Sequence, residues 1–158
     1  RLLARHANWP HRLPPLTILT PHPGEMAALT GLTTTQVQSD RWGLAARCAA
    51  DWGHIVVLKG AYTVIAAPDG RSAVIPVATP ALARAGTGDV LAGLIAGLLA
   101  QGTPPYDAAL AAAWVHAQAG LLAAARQGQS ASVLASDVLA AIPAVLSDLL
   151  QPEMGSTR

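Results

Sequence analysis

The first half of the chain places short apolar runs between turns rich in glycine and proline, which is typical of strands joined by loops. The run LTILT, 16–20, is apolar and is closed by PHPGE, so it predicts a buried strand that ends in a loop. The run HIVVLKG, 54–60, is continuous and β-branched, which predicts a strand covered on both faces, as in a parallel sheet. Residues 62–77, YTVIAAPDGRSAVIPV, predict two strands joined at Asp69–Gly70.

Apolar positions at helical spacing fill most of the remaining chain. They predict a helical tail and a loop over 1–15, a short helix over 24–32, a helix over 35–52 with N-caps among Thr33 to Thr35, and later helices over 86–102, 106–127 and 135–150. Strands early and helices late, with one parallel strand pair, favour an α/β layered domain. We expect a single domain over 1–150 and a disordered tail over 151–158.

The composition is rich in apolar residues, at 52%, and poor in charged ones, at 12%. This charged share is about half of the usual one. The chain therefore has little charge to cover its outside, and we expect part of its surface to be buried against other chains, as in a homo-oligomer, or against a further segment of its own polypeptide.

Charge and cysteine content exclude several classes of function. The net charge is +1, and the ten Lys and Arg residues are scattered, which argues against nucleic-acid binding. Cys48 is the only cysteine, so the sequence predicts no disulfide framework or cysteine zinc site and fits the reducing cytoplasm. The longest unbroken apolar runs are too short to span a bilayer, and residues 1–15 lack the apolar core of a signal peptide.

The strongest candidate for chemistry is the stretch AGTGD, 85–89, at the start of a predicted helix. Gly86 and Gly88 allow a tight turn, and the backbone N–H groups of the turn and of the helix N-terminus favour an anion. Asp89 is placed to act on a hydroxyl group beside that anion. The alternative, that Asp89 only caps a buried helix, remains open from this pattern alone.

Two further motifs carry candidate binding residues. Lys59 and Gly60 follow a predicted buried strand, where ligands bind in open α/β sheets, although a lysine there can also extend into solvent. His22 lies in TPHPGE, a loop held by two prolines, and Glu25 follows near a helix start. We expect His116 to be a hydrogen-bonded helix residue, and we assign no role to the other histidines.

Together and in this order, the motifs TPHPGEMAALTG, VVLKGAYTVIAAPDG and AGTGDVLAGLIAGLLAQG resemble the ribokinase-like domain of the NAD(P)H-hydrate dehydratases. The resemblance covers about 16–120. It implies a three-layer αβα fold, here truncated at its N-terminus. It also implies a lyase that uses ADP or ATP, with Mg²⁺, to remove water from hydrated NADH or NADPH. In that reaction a phosphoryl group passes to the substrate hydroxyl, and phosphate is then eliminated.

The resemblance assigns roles to matching positions. His22 and Asp89 would contact the hydrated substrate, with Asp89 as the general base. Adenine nucleotide would lie against Lys59, Gly60, Ala61, Tyr62, Thr63 and Gly88, and the developing anion against the N–H groups of Gly86, Thr87 and Gly88. No metal-ligand motif is expected, since phosphates and water hold most of such a Mg²⁺ ion.

The sequence also departs from the family. Thr79 stands where the family has an Asn, so the role of that Asn does not carry over. The family's domain has an N-terminal part before the first motif, and an epimerase domain often accompanies it. Two other functions therefore stay open: a ribokinase-like kinase that phosphorylates a vitamin-precursor hydroxyl, and a non-catalytic nucleotide-binding module that needs another chain.

Overall fold

The computed structural model describes residues 2–150. These residues form four strands, β1 to β4, and six α-helices, α1 to α6. In chain order the elements are β1 (Ile18–Leu19), α1 (Pro23–Thr30), α2 (Thr34–Ser39), α3 (Arg41–Trp52), β2 (Ile55–Leu58), β3 (Val64–Ala66), β4 (Ser72–Val74), α4 (Thr87–Ala100), α5 (Pro105–Gln127) and α6 (Ala135–Leu150). Short 3-10 helices cover Leu3–Arg5, Trp9–Arg12 and Pro80–Leu82. The predicted tail, 151–158, lies outside the described residues.

The four strands form one mixed sheet in the order β1-β2-β3-β4. Strand β1 pairs with β2 in parallel, with Ile18 opposite Ile55. Strands β2 and β3, and then β3 and β4, pair antiparallel. The predicted parallel pair and the predicted hairpin at Asp69–Gly70 are confirmed. All four residues of β2 are buried, as its apolar run predicts, although only one of its two neighbours is parallel.

Helices cover both faces of the sheet. Because side chains alternate along a strand, Ile55 and Val57 of β2 pack against α4 and α5, whereas Val56 and Leu58 pack against α1, α2 and α3. The result is the three-layer αβα arrangement expected from the resemblance. Helix α6 packs on the outer side of α5, around Val138 and Ile142.

One helix prediction is wrong. The helix predicted over 35–52 is two helices, because the chain breaks at Asp40, where φ is −147° and ψ is 67°. The Asp40 carboxylate accepts a hydrogen bond from the N–H of Gly43 at 2.9 Å and so caps α3. Thr33 caps α2 through the N–H of Gln36. The break makes Arg41 the first residue of α3.

Helix α5 is long and apolar enough to cross a membrane, and 56% of its most apolar stretch is buried inside the fold. Tyr106, Ala112, Ala119 and Ala123 are among its buried residues. Central helices of globular domains share this length and composition, so the finding is accounted for by packing between the sheet and α6.

We expect packing at the centre of the sheet to contribute strongly to the free energy of unfolding, and a substitution at Ile65 tests this. Its side chain projects from β3, is fully buried and packs in the cluster formed with α4 and α5, so Ile65→Ala removes apolar contacts and leaves a cavity. We expect the free energy of unfolding to fall by about 2–5 kcal/mol, measured by urea denaturation. Leu134→Ala, at a side chain that is 63% exposed, is the control, with a change within about 0.5 kcal/mol. Equal losses in the two variants would contradict this placement of the core.

Candidate active site

Three sequence motifs meet around one cavity of about 530 Å³. Its walls come from the start of α1, the end of β2, the start of α4 and the middle of α5. The predicted site residues on its wall are His22, Lys59, Gly60, Ala61, Thr63, Gly86, Thr87, Gly88 and Asp89. Tyr62 is not among the lining residues, and its side chain is 56% exposed. The volume is in the range of small-molecule and cofactor sites.

The side chain of Thr87 fixes the conformation of the turn over 85–89, called the glycine turn below. Gly86 is the N-cap of α4 with a φ of 87°, in the left-handed region that favours glycine. The buried hydroxyl group of Thr87 lies 2.8 Å from the carbonyl oxygens of both Leu82 and Arg84, which share its single hydrogen. The Thr87 side chain therefore holds the turn, and any contact of this residue with an anion would come from its backbone.

Two backbone donors of the turn remain available to a ligand. The N–H of Thr87 points to the carbonyl of Arg84 at 3.4 Å, and that of Asp89 to the carbonyl of Gly86 at 3.1 Å. Within residues 2–150, the N–H groups of Gly86 and Gly88 have no partner. They lie at the N-terminus of a 14-residue helix, where an anion is favoured by the free donors and the helix dipole.

Asp89 does not cap the helix. Capping falls to Gly86, which offers no side-chain bond, and Asp89 is the third helical residue. Among the described contacts its exposed carboxylate makes no hydrogen bond or ion pair, and it is the only carboxylate among the residues that line the cavity. The structure thus leaves this carboxylate free to meet a ligand.

Lys59 joins two of the motifs. A Cβ atom at Gly88 would lie 3.1 Å from the Lys59 Nζ, so the missing side chain makes room for the ammonium group. The same Nζ lies 3.6 Å from Oε2 of Glu25. The Lys59 side chain is 25% exposed, which shows that it turns toward the helix N-terminus and does not extend into solvent.

His22 and Glu25 form a reciprocal cap at the start of α1. The Nδ1 atom of His22 accepts hydrogen bonds from the N–H groups of Gly24 at 3.0 Å and Glu25 at 3.2 Å. An accepting Nδ1 carries no proton, so the neutral ring keeps its proton on Nε2. Oε2 of Glu25 accepts a bond from the His22 N–H at 2.8 Å.

The charge of Glu25 is stabilised by its neighbours. Burial opposes ionisation of Glu25, but the bond from the His22 N–H and the charge of Lys59 outweigh it and hold the pKa of Glu25 below its ordinary value. The carboxylate is therefore ionised at neutral pH and holds the Lys59 ammonium in place.

Sequence reasoning assigned no site role to two side chains that support this site. His116 is confirmed as a hydrogen-bonded helix residue: its Nε2 donates to the carbonyl of Thr87 at 2.8 Å, and it also lines the cavity. Burial lowers the pKa of His116, so its ring is neutral.

Arg41 donates to the carbonyls of Leu58, at 3.0 Å, and Ala61. A histidine within the alanine-rich sequence of α5 could have indicated a site role. Arg41 could not be distinguished, because it lay within the single long helix predicted over 35–52.

Thr79 also lies on the cavity wall. Its hydroxyl oxygen accepts a bond from the N–H of Ala81 at 3.3 Å and caps the short helix Pro80–Leu82. Throughout 2–150 no group of three His, Cys, Asp or Glu side chains is arranged to hold a metal ion.

Comparison with known proteins places the chain in a family. The family model for NAD(P)H-hydrate dehydratase matches residues 2–144. The chain is 49% identical to the bifunctional NAD(P)H-hydrate repair enzyme of Moorella thermoacetica over 132 residues, which cover 84% of the chain and 25% of that protein. It is 46% identical to the ADP-dependent (S)-NAD(P)H-hydrate dehydratase of Neisseria meningitidis over 121 residues, covering 77% and 41%.

A solved structure agrees with these sequence matches. The ADP/ATP-dependent NAD(P)H-hydrate dehydratase of Bacillus subtilis, co-crystallised with ATP and Mg²⁺, superposes with a TM-score of 0.80 at 37% identity. The match covers 84% of the chain and 48% of that structure, so the chain spans less than half the length of each of these three relatives. On these matches, the chain belongs to the NAD(P)H-hydrate dehydratase family.

Proposed function

We propose that this chain takes part in the nucleotide-dependent dehydration of hydrated NADH and NADPH, a repair of damaged cofactor. The observation that carries the proposal is the convergence of Lys59 with the free N–H groups of Gly86 and Gly88 on the cavity wall that also holds Asp89. Phosphoryl transfer depends mainly on positioning and on stabilising negative charge, which these groups supply. Named dehydratases among the relatives support the choice of substrate.

The proposed binding arrangement follows the cavity wall. Adenine nucleotide lies against Lys59, the 60–63 loop and Gly88, with its phosphates at the N-terminus of α4. The free N–H groups of Gly86 and Gly88 face the phosphoryl group that transfers, whereas the N–H of Thr87, predicted to join them, is directed to the Arg84 carbonyl. The hydrated nicotinamide ring lies between His22 and Asp89. Tyr62 has an exposed side chain that does not line the cavity, so it would contact the nucleotide from the edge of the site.

The chemistry has two steps. In the first, the substrate hydroxyl oxygen attacks the terminal phosphorus, the bond from that phosphorus to the nucleotide's bridging oxygen breaks, and Asp89 accepts the hydroxyl proton. In the second, phosphate leaves with the electron pair of the carbon–oxygen bond, and a proton passes from the neighbouring carbon to the departing phosphate, which restores the ring double bond. The hydroxyl oxygen of the hydrate thus departs in phosphate.

Mg²⁺ fits this cavity as an ion carried by the nucleotide. Asp89 is the only carboxylate among the lining residues, and one carboxylate with phosphate oxygens and water is a usual environment for Mg²⁺. When bound, the ion would neutralise phosphate charge. Asp89 is the residue of this chain that would face it.

Assembly and location belong to the same proposal. Exposed leucines on α6, Leu139, Leu146 and Leu149, support burial of this face in a homo-oligomer. The single cysteine, Cys48, supports a location in the reducing cytoplasm. A further N-terminal half or an epimerase domain would be additional partners. Light scattering that shows only monomer at every concentration would contradict self-association.

The function is tested by mixing the purified chain with hydrated NADH or NADPH, Mg²⁺ and either ADP or ATP, and following the return of dihydronicotinamide absorbance. We expect turnover that requires the adenine nucleotide. A hydroxymethyl-pyrimidine and a thiazole alcohol serve as comparison substrates, and phosphorylation of these with no turnover of the hydrates would favour the kinase. Nucleotide binding without turnover of any substrate would favour the binding module.

Asp89→Asn tests the general base. The amide keeps the shape of the carboxylate and cannot take up the proton, so we expect kcat to fall by about 10²-fold or more, while calorimetry without Mg²⁺ shows little change in ADP affinity. Asp51→Asn, at an exposed aspartate of α3, is the control and should keep full activity. A near-normal rate in Asp89→Asn would remove Asp89 from the mechanism.

Lys59→Ala tests the phosphate contact. Loss of a charge-assisted hydrogen bond should weaken ADP binding by about 10- to 100-fold and should barely change binding of adenosine, which has no phosphate. Calorimetry with both ligands measures the difference. Arg126→Ala, at an exposed residue near the end of α5, is the matched control. Equal losses for ADP and adenosine would contradict a phosphate role for Lys59.

A further inference from the structure

The side chain of Arg41 bridges the two ends of the turn that follows β2. Its Nη2 donates to the carbonyl of Leu58 at 3.0 Å, and its Nη1 donates to the carbonyl of Ala61. These carbonyls flank Lys59 and Gly60. The planar guanidinium group carries its N–H donors in a fixed geometry, so the two nitrogens used here set the separation of the two carbonyls as well as bonding to each.

Gly60 packs directly on this guanidinium group. A Cβ atom at Gly60 would lie 2.9 Å from Nη2, 3.2 Å from Cζ and 3.3 Å from Nη1 of Arg41. The φ of Gly60 is +148°, a conformation that residues with side chains rarely adopt. Gly60 also lines the cavity, so at this point a single layer of backbone separates Arg41 from the ligand space.

No ion pair among the described residues explains the position of Arg41. Within residues 2–150 it forms no ion pair, because the nearby Asp40 carboxylate bonds to Arg47 and to the N–H of Gly43. Burial lowers the pKa of Arg41, and its Nε is buried without a partner among the described residues. A half-buried charge with an unused N–H group is costly, and the two backbone carbonyls are what offset that cost.

The turn itself needs external support. Tyr62 has a φ of 57°, which is uncommon for a residue with a large side chain. The N–H of Tyr62 donates to the carbonyl of Val77 at 3.0 Å, and the Thr63 hydroxyl donates to the carbonyl of Gly60 at 3.1 Å. Backbone in such sparsely populated conformations persists only where the surrounding contacts determine it.

We propose that Arg41 is a positioning residue, whose two donors hold the 59–63 loop in the geometry that binds adenine nucleotide. The inference rests on the proposed function, which places nucleotide against this loop. A loop that is ordered before binding loses less entropy on binding. If the free loop visits other conformations, the apparent affinity falls by the fraction of time spent in the competent one.

Arg41→Gln and Arg41→Lys are compared with Arg47→Gln, a control at an exposed arginine of the same helix. The first measurement is hydrogen exchange of the Tyr62 N–H by NMR in the nucleotide-free chain. The second is the Kd for Mg-ADP, and the third is kcat with saturating nucleotide. We expect Arg41→Gln to speed exchange at Tyr62 by about tenfold or more and to weaken Mg-ADP binding by a similar factor, with kcat unchanged.

Arg41→Lys separates geometry from charge. Lysine keeps the positive charge, but its single ammonium group lacks the fixed fork that bridges both carbonyls. We expect Arg41→Lys to show most of the loss of Tyr62 N–H protection and of Mg-ADP affinity that Arg41→Gln shows. Arg47→Gln should behave as the unmodified chain. Full recovery in Arg41→Lys would overturn the proposal, because charge alone would then explain the effect.

The remaining outcomes distinguish this inference from the proposed function. Unchanged exchange at Tyr62 in both Arg41 variants would overturn the role of Arg41, whether or not nucleotide binds. Faster exchange with an unchanged Kd would also overturn it. An unmodified chain that binds no Mg-ADP would contradict the proposed function, and a distinct loss of loop protection in the Arg41 variants would still show that Arg41 orders the loop.

Discussion

The ammonium group of Lys59 connects the parts of this site, because it lies between the Glu25 carboxylate and the bare N-terminus of α4 at Gly88. Glu25 begins α1, Lys59 ends the buried strand β2, and Gly88 begins α4. A single cation, paired with Glu25 and lying beside Gly88, therefore stands where segments that are far apart in the chain meet. It also adds positive charge where the unused N–H groups of Gly86 and Gly88 already favour an anion.

The fold supports this arrangement with polar groups that are buried or half buried, each with a backbone partner. The Thr87 hydroxyl and the His116 ring hold the glycine turn, and Arg41 holds the loop after β2. Each such group costs desolvation, and each is compensated by bonding to carbonyls near the cavity. These contacts fix backbone on the cavity wall, and donors held in place in this way are what the proposed phosphoryl transfer would require.

Local sequence patterns predicted most of the sheet and the later helices, since β2 and α4 have strong patterns of their own. They did not predict the break at Asp40, because the apolar face of a helix continues across it and one carboxylate decides the cap. The motifs also identified Lys59 and Asp89 as candidates. They could not show that Lys59 meets Gly88, or that Arg41 reaches Ala61 across 20 positions, because both contacts depend on tertiary packing.

The central claim is that nucleotide binds where the three motifs meet. Titration of the unmodified chain with Mg-ADP, followed by the backbone amide signals in NMR, tests it most directly. We expect saturable shifts at Gly60 and Gly88 that give one common Kd. Shifts confined to the apolar groove beside Leu110 and Trp114, or no saturable shift at Gly60 and Gly88, would contradict it.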